Sequence, residues 1–309
     1  MPGLSGSGGA RLVPPGHDGP MGVVVVDKEP GWTSHDVVAR CRRLFGQRRV
    51  GHAGTLDPDA TGVLIIGLGR ATRLLRYITG LPKTYVGEVV LGTATSTLDS
   101  SGAITGAWDM SSVTYDAVCA AAAGLTGDIE QIPPMVSALK VGGRRLHAMA
   151  REGIEIDRPA RSVKVHRFEV GPQVPGEEGV YPIEVDCSTG TYIRSLADDL
   201  GRALGGGAHL RNLRRTRIGS FGVAEAHTIA ELGTAHVLTP AQALRDMEQV
   251  EVGSELARLV VHGLALDKVA IGASGGGPWA LVDAGGRLLA VYEATPTERV
   301  TAAVVIERS

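Results

Sequence analysis

Several common signatures are missing from this chain. Its three cysteines, Cys41, Cys119 and Cys187, are far apart and odd in number. They fit neither a disulfide framework nor a metal-ligand spacing, so reduced thiols in a cytoplasmic protein are expected. No apolar run approaches the roughly 20 residues of a membrane-spanning helix, and no membrane contact is expected. Residues 1–20 are rich in Gly, Pro and Ser and lack an apolar core, so they read as a disordered extension and not a signal peptide. There is no His/Cys cluster and no Gly-Lys-Ser/Thr phosphate loop, so no metal and no organic cofactor is expected. No internal repeat stands out.

What is present is an ordinary globular composition. The 309 residues are 43% hydrophobic and 21% charged, enough for a full core and a small second domain. The net charge of −2 hides a strong segregation. Residues 34–83 carry +6 and residues 140–217 carry +4, against −6 over 84–139 and −5 over 218–309. Attraction to phosphates depends on the local field, so these two basic blocks are candidate nucleic-acid surfaces.

One loop concentrates the special backbone residues. Gly51-His52-Ala53-Gly54-Thr55-Leu56-Asp57-Pro58-Asp59-Ala60-Thr61-Gly62 runs directly into the strand-like Val63-Leu64-Ile65-Ile66. Its glycines and Pro58 specify a tight path and set Asp57 on a rigid turn. That suits a positioned nucleophile or base. An aspartate before proline also commonly makes only an Asx-type turn, and spacing alone does not separate the two.

Around this loop the pattern alternates strands and helices. Gly22–Val26 reads as a strand, with Ser34 as N-cap of a helix to about Phe45 that Gly46 ends. Lys83–Leu91 alternates as a strand, and 111–123 is an Ala-rich helix. Segment 131–158, with Pro133-Pro134, Gly142-Gly143 and Arg144-Arg145, reads as a mobile basic lid. Strands follow near 162–171 and 180–187, then a helix over Thr191–Leu204 and a strand over 209–218. After short helices in 223–249, apolar runs at Lys268–Ile271, Trp279–Val282, Leu288–Tyr292 and Val304–Ile306 predict a small β-barrel.

These segments resemble, in order, a known family. The stretch His52–Gly62, with Lys83-Thr84-Tyr85, Ile129–Pro134, Ser137–Lys140, Gly190–Leu196 and His209–Arg215, is similar to bacterial tRNA pseudouridine synthases of the TruB type. The resemblance covers about residues 22–222. It implies an α+β fold: a mixed, mainly antiparallel sheet flanked by helices and loops at 21–249, then a PUA-like RNA-binding barrel at 250–309. It implies isomerisation of uridine 55 in the T-loop of tRNA, by base flipping and without a cofactor. No obligate protein partner is implied, and the chain is expected to act as a monomer.

By the same resemblance Asp57 is the catalytic carboxylate, Arg194 pairs with it, and Tyr85 stacks on the target base and is a candidate to move the C5 proton. Tyr192 and Leu213 match pocket residues. His52 matches the side chain that enters the space left by flipped nucleotides. Arg144, Arg145, Arg211 and Arg214 are candidates for the RNA backbone, and Lys28 is read as structural. The chain departs from the pattern in the shifted proline of Lys28-Glu29-Pro30-Gly31 and in Val136, where a tyrosine is common. Two other readings are a guide-RNA-dependent synthase of the dyskerin type and an RNA-folding protein without essential chemistry.

Overall fold

A computed structural model describes residues 19–306, apart from 138–139, 142–143, 147–148, 150–151, 153 and 155. Most of the expected N-terminal extension and part of the expected lid therefore lie outside the described residues. The strands are β1 (Gly22–Lys28), β2 (Val50–His52), β3 (Thr61–Leu68), β4 (Lys83–Leu91), β5 (Thr93–Thr95), β6 (Ile104–Ala107), β7 (Gly127–Gln131), β8 (Lys140–Val141), β9 (Arg144–Arg145), β10 (Arg161–Val170), β11 (Val180–Cys187), β12 (Ala208–Ile218), β13 (Phe221–Gly222), β14 (Gln249–Glu251), β15 (Leu266–Asp267), β16 (Trp279–Val282), β17 (Leu288–Ala294) and β18 (Arg299–Val305). The helices are α1 (Ser34–Leu44), α2 (Leu75–Thr79), α3 (Tyr115–Gly124), α4 (Ile193–Ala203), α5 (Pro240–Ala243) and α6 (Ser254–Val261).

The main sheet runs β1-β3-β12-β4-β11-β10-β7, with β2 added to β3 and β13 to β12. Its pairs are antiparallel except for β12 with β3. This is the mixed, mainly antiparallel sheet that the sequence implied. β4 alternates buried and half-buried residues along its whole length, which puts Lys83 and Tyr85 on the core side. α1, α3 and α4 pack on one face through Val37, Val118, Leu196 and Leu200, against Val24, Leu64, Ile66 and Val89 of the strands.

β1 and β3 are instead buried on both faces, which explains their unbroken apolar sequences. Val23, Val25, Val63 and Ile65 point away from the helices, into a second cluster. That cluster is completed by Ala280, Val282, Leu288, Val291, Val304 and Ile306 of the C-terminal sheet, ordered β14-β16-β17-β18-β15. The other side of that sheet packs Trp279, Leu281 and Tyr292 with Val260 of α6. Polar contacts reinforce the junction. Arg70 and Arg73 donate to the carbonyls of Ile306 and Val305 at 3.2 and 3.0 Å, and Tyr77 donates to Glu293 at 2.8 Å.

Local departures from the sequence reading have simple causes. The N-cap of α1 is Thr33, one residue before Ser34, because Thr33 and Asp36 close a reciprocal capping box. Ser34 is left free to serve the active loop. Lys268–Ile271 forms turns and no strand, and α6 lies where short strands and turns of a small β-barrel were expected. The strand expected at Val304–Ile306 is centred earlier, over β18.

The shared cluster predicts the effect of truncation. Deleting residues 249–309 would remove the six aliphatic residues that share this cluster with β1 and β3 and bare the strands' outer face, a loss on the order of 5–10 kcal/mol. That is comparable with the whole stability of a typical domain. The shortened chain should show no cooperative melting transition by circular dichroism. A sharp melt near the full-length temperature would refute the shared core.

Candidate active site

The loop between β2 and β3 is held by its backbone oxygens. Ser34 Oγ accepts from the Leu56 amide at 2.9 Å and donates to its carbonyl at 3.2 Å. Lys28 Nζ donates to the carbonyls of Pro58, Trp32 and Glu29 at 2.8, 2.8 and 3.0 Å. Burial brings the Lys28 ammonium down to about 8, opposed by Asp59 and Asp57. The structural role read for Lys28 is therefore specific: it ties the first strand's exit to the active loop. Arg215 Nε donates to Val63 O at 2.8 Å, and its terminal nitrogens donate to Gly54 O and Thr55 O at 3.2 and 3.3 Å. Gly62 sits at φ +101°, and a Cβ there would lie 2.2 Å from the Arg215 carbonyl. Only glycine lets β3 and β12 approach this closely.

Asp57 leaves this braced loop facing a cavity of about 300 Å3, lined by Tyr85, Tyr192, Arg194, Leu213 and Arg215. Arg194 Nε lies 2.9 Å from Asp57 Oδ2 and 3.6 Å from Asp99 Oδ2. The same guanidinium donates to Thr97 O and Val136 O, each at 2.8 Å. It is 3% exposed, so it is a fixed group in a low-dielectric setting and not a surface charge. One cation thus serves two carboxylates. Burial pushes the Asp57 carboxyl above its ordinary value, Arg194 pulls it down, and the Asp99 charge pushes it up again. The upward direction wins, although the ion pair alone would favour ionisation.

The other expected residues arrive from three elements. Tyr85, on β4, is buried, which raises its phenol pKa. Tyr192 precedes α4, and its backbone is gripped by the Gln131 amide, which accepts from Tyr192 N at 2.7 Å and donates to Tyr192 O at 3.1 Å. Burial raises its phenol pKa too. Leu213 follows Asn212, which has φ +54° within an irregularity between Arg211 and Arg214. A bulge of this kind re-aims side chains, and Leu213 lines both the main cavity and a neighbouring one of about 180 Å3. Asp57 and Arg194 line both as well.

His52 is not among the residues lining either cavity. It ends β2, half-buried, edge-on to His35 with ring centroids 5.5 Å apart. Burial lowers its pKa and favours the neutral ring. The arginines expected on the RNA backbone have carboxylate partners: Arg144 with Glu152 at 2.6 Å, Arg211 with Glu88 and Glu177, and Arg214 with Asp27 at 2.7 Å. The Arg145 side chain lies outside the described residues. The front of the expected lid is anchored: Ser195 Oγ donates to Ile132 O at 3.0 Å, and Arg158 to Pro133 O at 3.0 Å.

Sequence reading missed Asp99, Ser34, Gln131 and Arg215 as site residues. For Arg215, alternation from buried Ala208 and Leu210 points the wrong way, because the irregularity between Arg211 and Arg214 shifts the buried face. Asp99 sits in an irregular loop where no periodicity points to it.

The charge arrangement predicts two titration shifts of opposite sign. Removing a neighbouring negative charge lowers a carboxyl pKa, and removing a positive one raises it. In carbon-13 NMR the Asp57 carboxyl should titrate above an ordinary aspartate. Asp99→Asn should move that midpoint down and Arg194→Gln should move it up. Shifts in the reverse sense would show that Arg194 does not govern Asp57.

Residues 42–193 match the family model described as TruB family pseudouridylate synthase (N terminal domain). Residues 194–260 match tRNA pseudouridylate synthase B C-terminal domain. The chain is 53% identical over 214 residues to "tRNA pseudouridine synthase B" of Mycolicibacterium paratuberculosis, covering 69% of this chain and 73% of the relative. It is 44% identical over 295 residues to the protein of that name from Mycobacteroides abscessus, covering 92% and 96%. Among solved structures, an H/ACA RNP bound to a substrate RNA containing 2′-deoxyuridine aligns with TM-score 0.70 at 25% identity, over 93% of this chain and 85% of that one. A Cbf5–Nop10–Gar1 complex aligns with TM-score 0.70 at 26% identity, over 97% and 91%. With two family models spanning residues 42–260 and relatives 53% and 44% identical, this chain belongs to the TruB family of pseudouridylate synthases.

Proposed function

We propose that this protein isomerises uridine 55 in the T-loop of tRNA to pseudouridine, acting without a cofactor and without a protein partner. The observation that carries this is Asp57, fixed by a rigid loop and by a buried Arg194, at the wall of a cavity that also holds Tyr85, Tyr192 and Leu213. The reaction detaches uracil from C1′ and rejoins it through C5. It needs one positioned carboxylate and a route for the C5 proton, and no redox change. Tyr85 and Leu213 offer flat and apolar surface to a base, and Asp57 meets the sugar–base junction. A stacked base cannot reach such a cavity, so the target nucleotide is flipped out of its loop. His52, outside the cavity at the end of β2, is read as the side chain that fills the space left behind.

The RNA is held by charge outside the cavity. Arg40, Arg43, Arg48 and Arg49 are exposed on the C-terminal part of α1 and the approach to β2. Among the described residues none of them has a carboxylate within ion-pair distance. They are thus free for phosphates, whereas Arg144, Arg211 and Arg214 must first give up their carboxylates. The five-stranded C-terminal sheet is read as a PUA-like RNA-binding unit, although its edge strands β14 and β15 do not pair with each other and the family match ends at residue 260.

A guide-RNA-dependent reaction is the second reading, favoured by the likeness to H/ACA proteins. The much higher identity to proteins named tRNA pseudouridine synthase B favours the first. A bare T-arm hairpin, with no guide RNA or added protein, should be converted by the full chain. Tritium release from 5-tritiated uridine would show it, and conversion only with a guide would favour the second reading.

Two variants test the assignment further. Asp57→Asn should abolish tritium release while hairpin affinity stays within about tenfold, because the carboxylate acts on the chemical step. Near-normal turnover would remove Asp57 from the mechanism. Replacing Arg48 or Arg49 by Ala should lower the slope of log affinity against log salt by about 0.7–0.9 for each phosphate no longer neutralised. An unchanged slope would place the RNA elsewhere.

A further inference from the structure

Two buried cations meet at one glycine of the active loop. Lys83 is 6% exposed and Arg215 is 1% exposed. A Cβ on Gly54 would lie 3.7 Å from Lys83 Cε and 3.7 Å from Arg215 Nη1. Both side chains also line the cavity that Asp57 faces. Lys83 Nζ donates to the carbonyls of Thr79 and Leu81 at 3.0 and 2.8 Å. Arg215 donates to those of Val63, Thr55 and Gly54. Neither cation has a carboxylate within ion-pair distance among the described residues. Carbonyl dipoles offset only part of the cost of burying a charge, and a like charge close by adds to it. An anion in the cavity would relieve both. The burial of the pair indicates which anion. Phosphates of a flipped nucleotide stay with the RNA chain outside the cavity, whereas Lys83 and Arg215 are almost closed to solvent. The base is the part of the nucleotide that reaches them.

Resting on the reading of this site as a pseudouridine synthase, we propose that Lys83 and Arg215 form a cationic wall that stabilises the uracil anion released when the glycosidic bond breaks. The N1–C1′ bond breaks with its electron pair left on uracil, spread over N1 and the carbonyl oxygens. C5 then bonds to C1′, the C5 proton leaves, and N1 takes up a proton, so the formula of the nucleotide is unchanged. Arg194 is already shared between Asp57 and Asp99. Lys83 and Arg215 are not shared with any carboxylate, and fixed charges of this kind stabilise a developing anion without reorganisation.

Arg215 also braces the loop carbonyls, so Lys83 is the member to vary. A brace and a charge respond differently to pH. A neutral amine keeps two N–H donors, enough for Thr79 O and Leu81 O, so a brace survives deprotonation and a charge does not. Burial, and then the Arg215 charge, bring the Lys83 ammonium down to about 8. Arg215 faces it from β12, and Cys187 lies opposite it on β11, with a thiol that burial pushes up to about 11 and so keeps neutral. Tyr85 is two residues along the same strand, Asp57 lines the same cavity, and the turn after α2 offers Nζ only carbonyls.

The experiment is single-turnover conversion of a T-arm hairpin by the full chain, between about pH 6 and 9, in wild type, Lys83→Met and Lys83→Arg. The wild-type rate should fall as the pH rises through the Lys83 value and the ammonium is lost. Lys83→Met should slow the chemical step by about 100-fold at neutral pH, with hairpin affinity within about threefold. Lys83→Arg, charged throughout, should recover much of the rate and abolish the alkaline fall. Lys28, also brought down to about 8, is unchanged in that variant, so a fall that persists there belongs to Lys28 and overturns the proposal. A wild-type rate with no fall, a methionine variant of near-normal rate, or an arginine variant as slow as the methionine one would overturn it too. If the methionine variant does not fold, the wild-type and arginine profiles decide alone. A wild-type chain that converts no tRNA uridine at any pH would instead sink the functional reading beneath it.

Discussion

The active loop owes its shape to hydrogen bonds that its own backbone cannot make. Residues 53–60 are neither helix nor, for the most part, strand, so their carbonyls have no ladder to join. A buried polar group left unpaired costs about 1–3 kcal/mol. Here Lys28, Ser34 and Arg215 reach in from three elements that are distant in sequence and take those oxygens one by one. The loop is rigid because the core around it is rigid. Asp57 inherits that rigidity without making the contacts itself.

This arrangement separates holding the carboxylate from tuning it. Lys28, Ser34 and Arg215 fix the main chain, while Arg194 and Asp99 set the charge around the side chain. Burial wins over the ion pair, so the carboxylate is more basic than a free one. A more basic carboxylate is a better nucleophile or base, at the cost of being protonated sooner as the pH falls. The bond from Arg194 to Val136 O also ties the chain entering the 138–155 region to the same guanidinium. Geometry at the carboxylate and placement of that segment therefore share one side chain.

Much of this was legible in the sequence where local rules decide. Lys83–Leu91 alternates cleanly and forms β4 with those bounds. The glycines and proline of the active loop marked a specified path. Asp57, Tyr85 and Arg194 were found through resemblance, since an Asp-Pro pair alone reads equally well as a turn. What stayed hidden depended on tertiary placement. Arg215 looks like one more basic residue among Arg211, Arg214 and Arg217, and only the irregular register of β12 turns it inward. Arg214, its neighbour, goes instead to Asp27. The last sixty residues read as short strands and turns because short apolar runs suit strand and buried helix alike; α6 was lost in that ambiguity.

The double burial of β1 and β3 also has a temporal meaning. A ribosome releases β1 long before β18, yet Val23 and Val25 find Val304 and Ile306 in one cluster. Pairings this far apart in sequence form late, because the closure entropy comes before the packing energy. During synthesis the outer face of β1 and β3 stays wet until β16, β17 and β18 emerge. The aspartate hangs from β3, so its geometry is completed only after β18 has been translated. An unfinished chain would carry every catalytic side chain and still lack the platform that aims them.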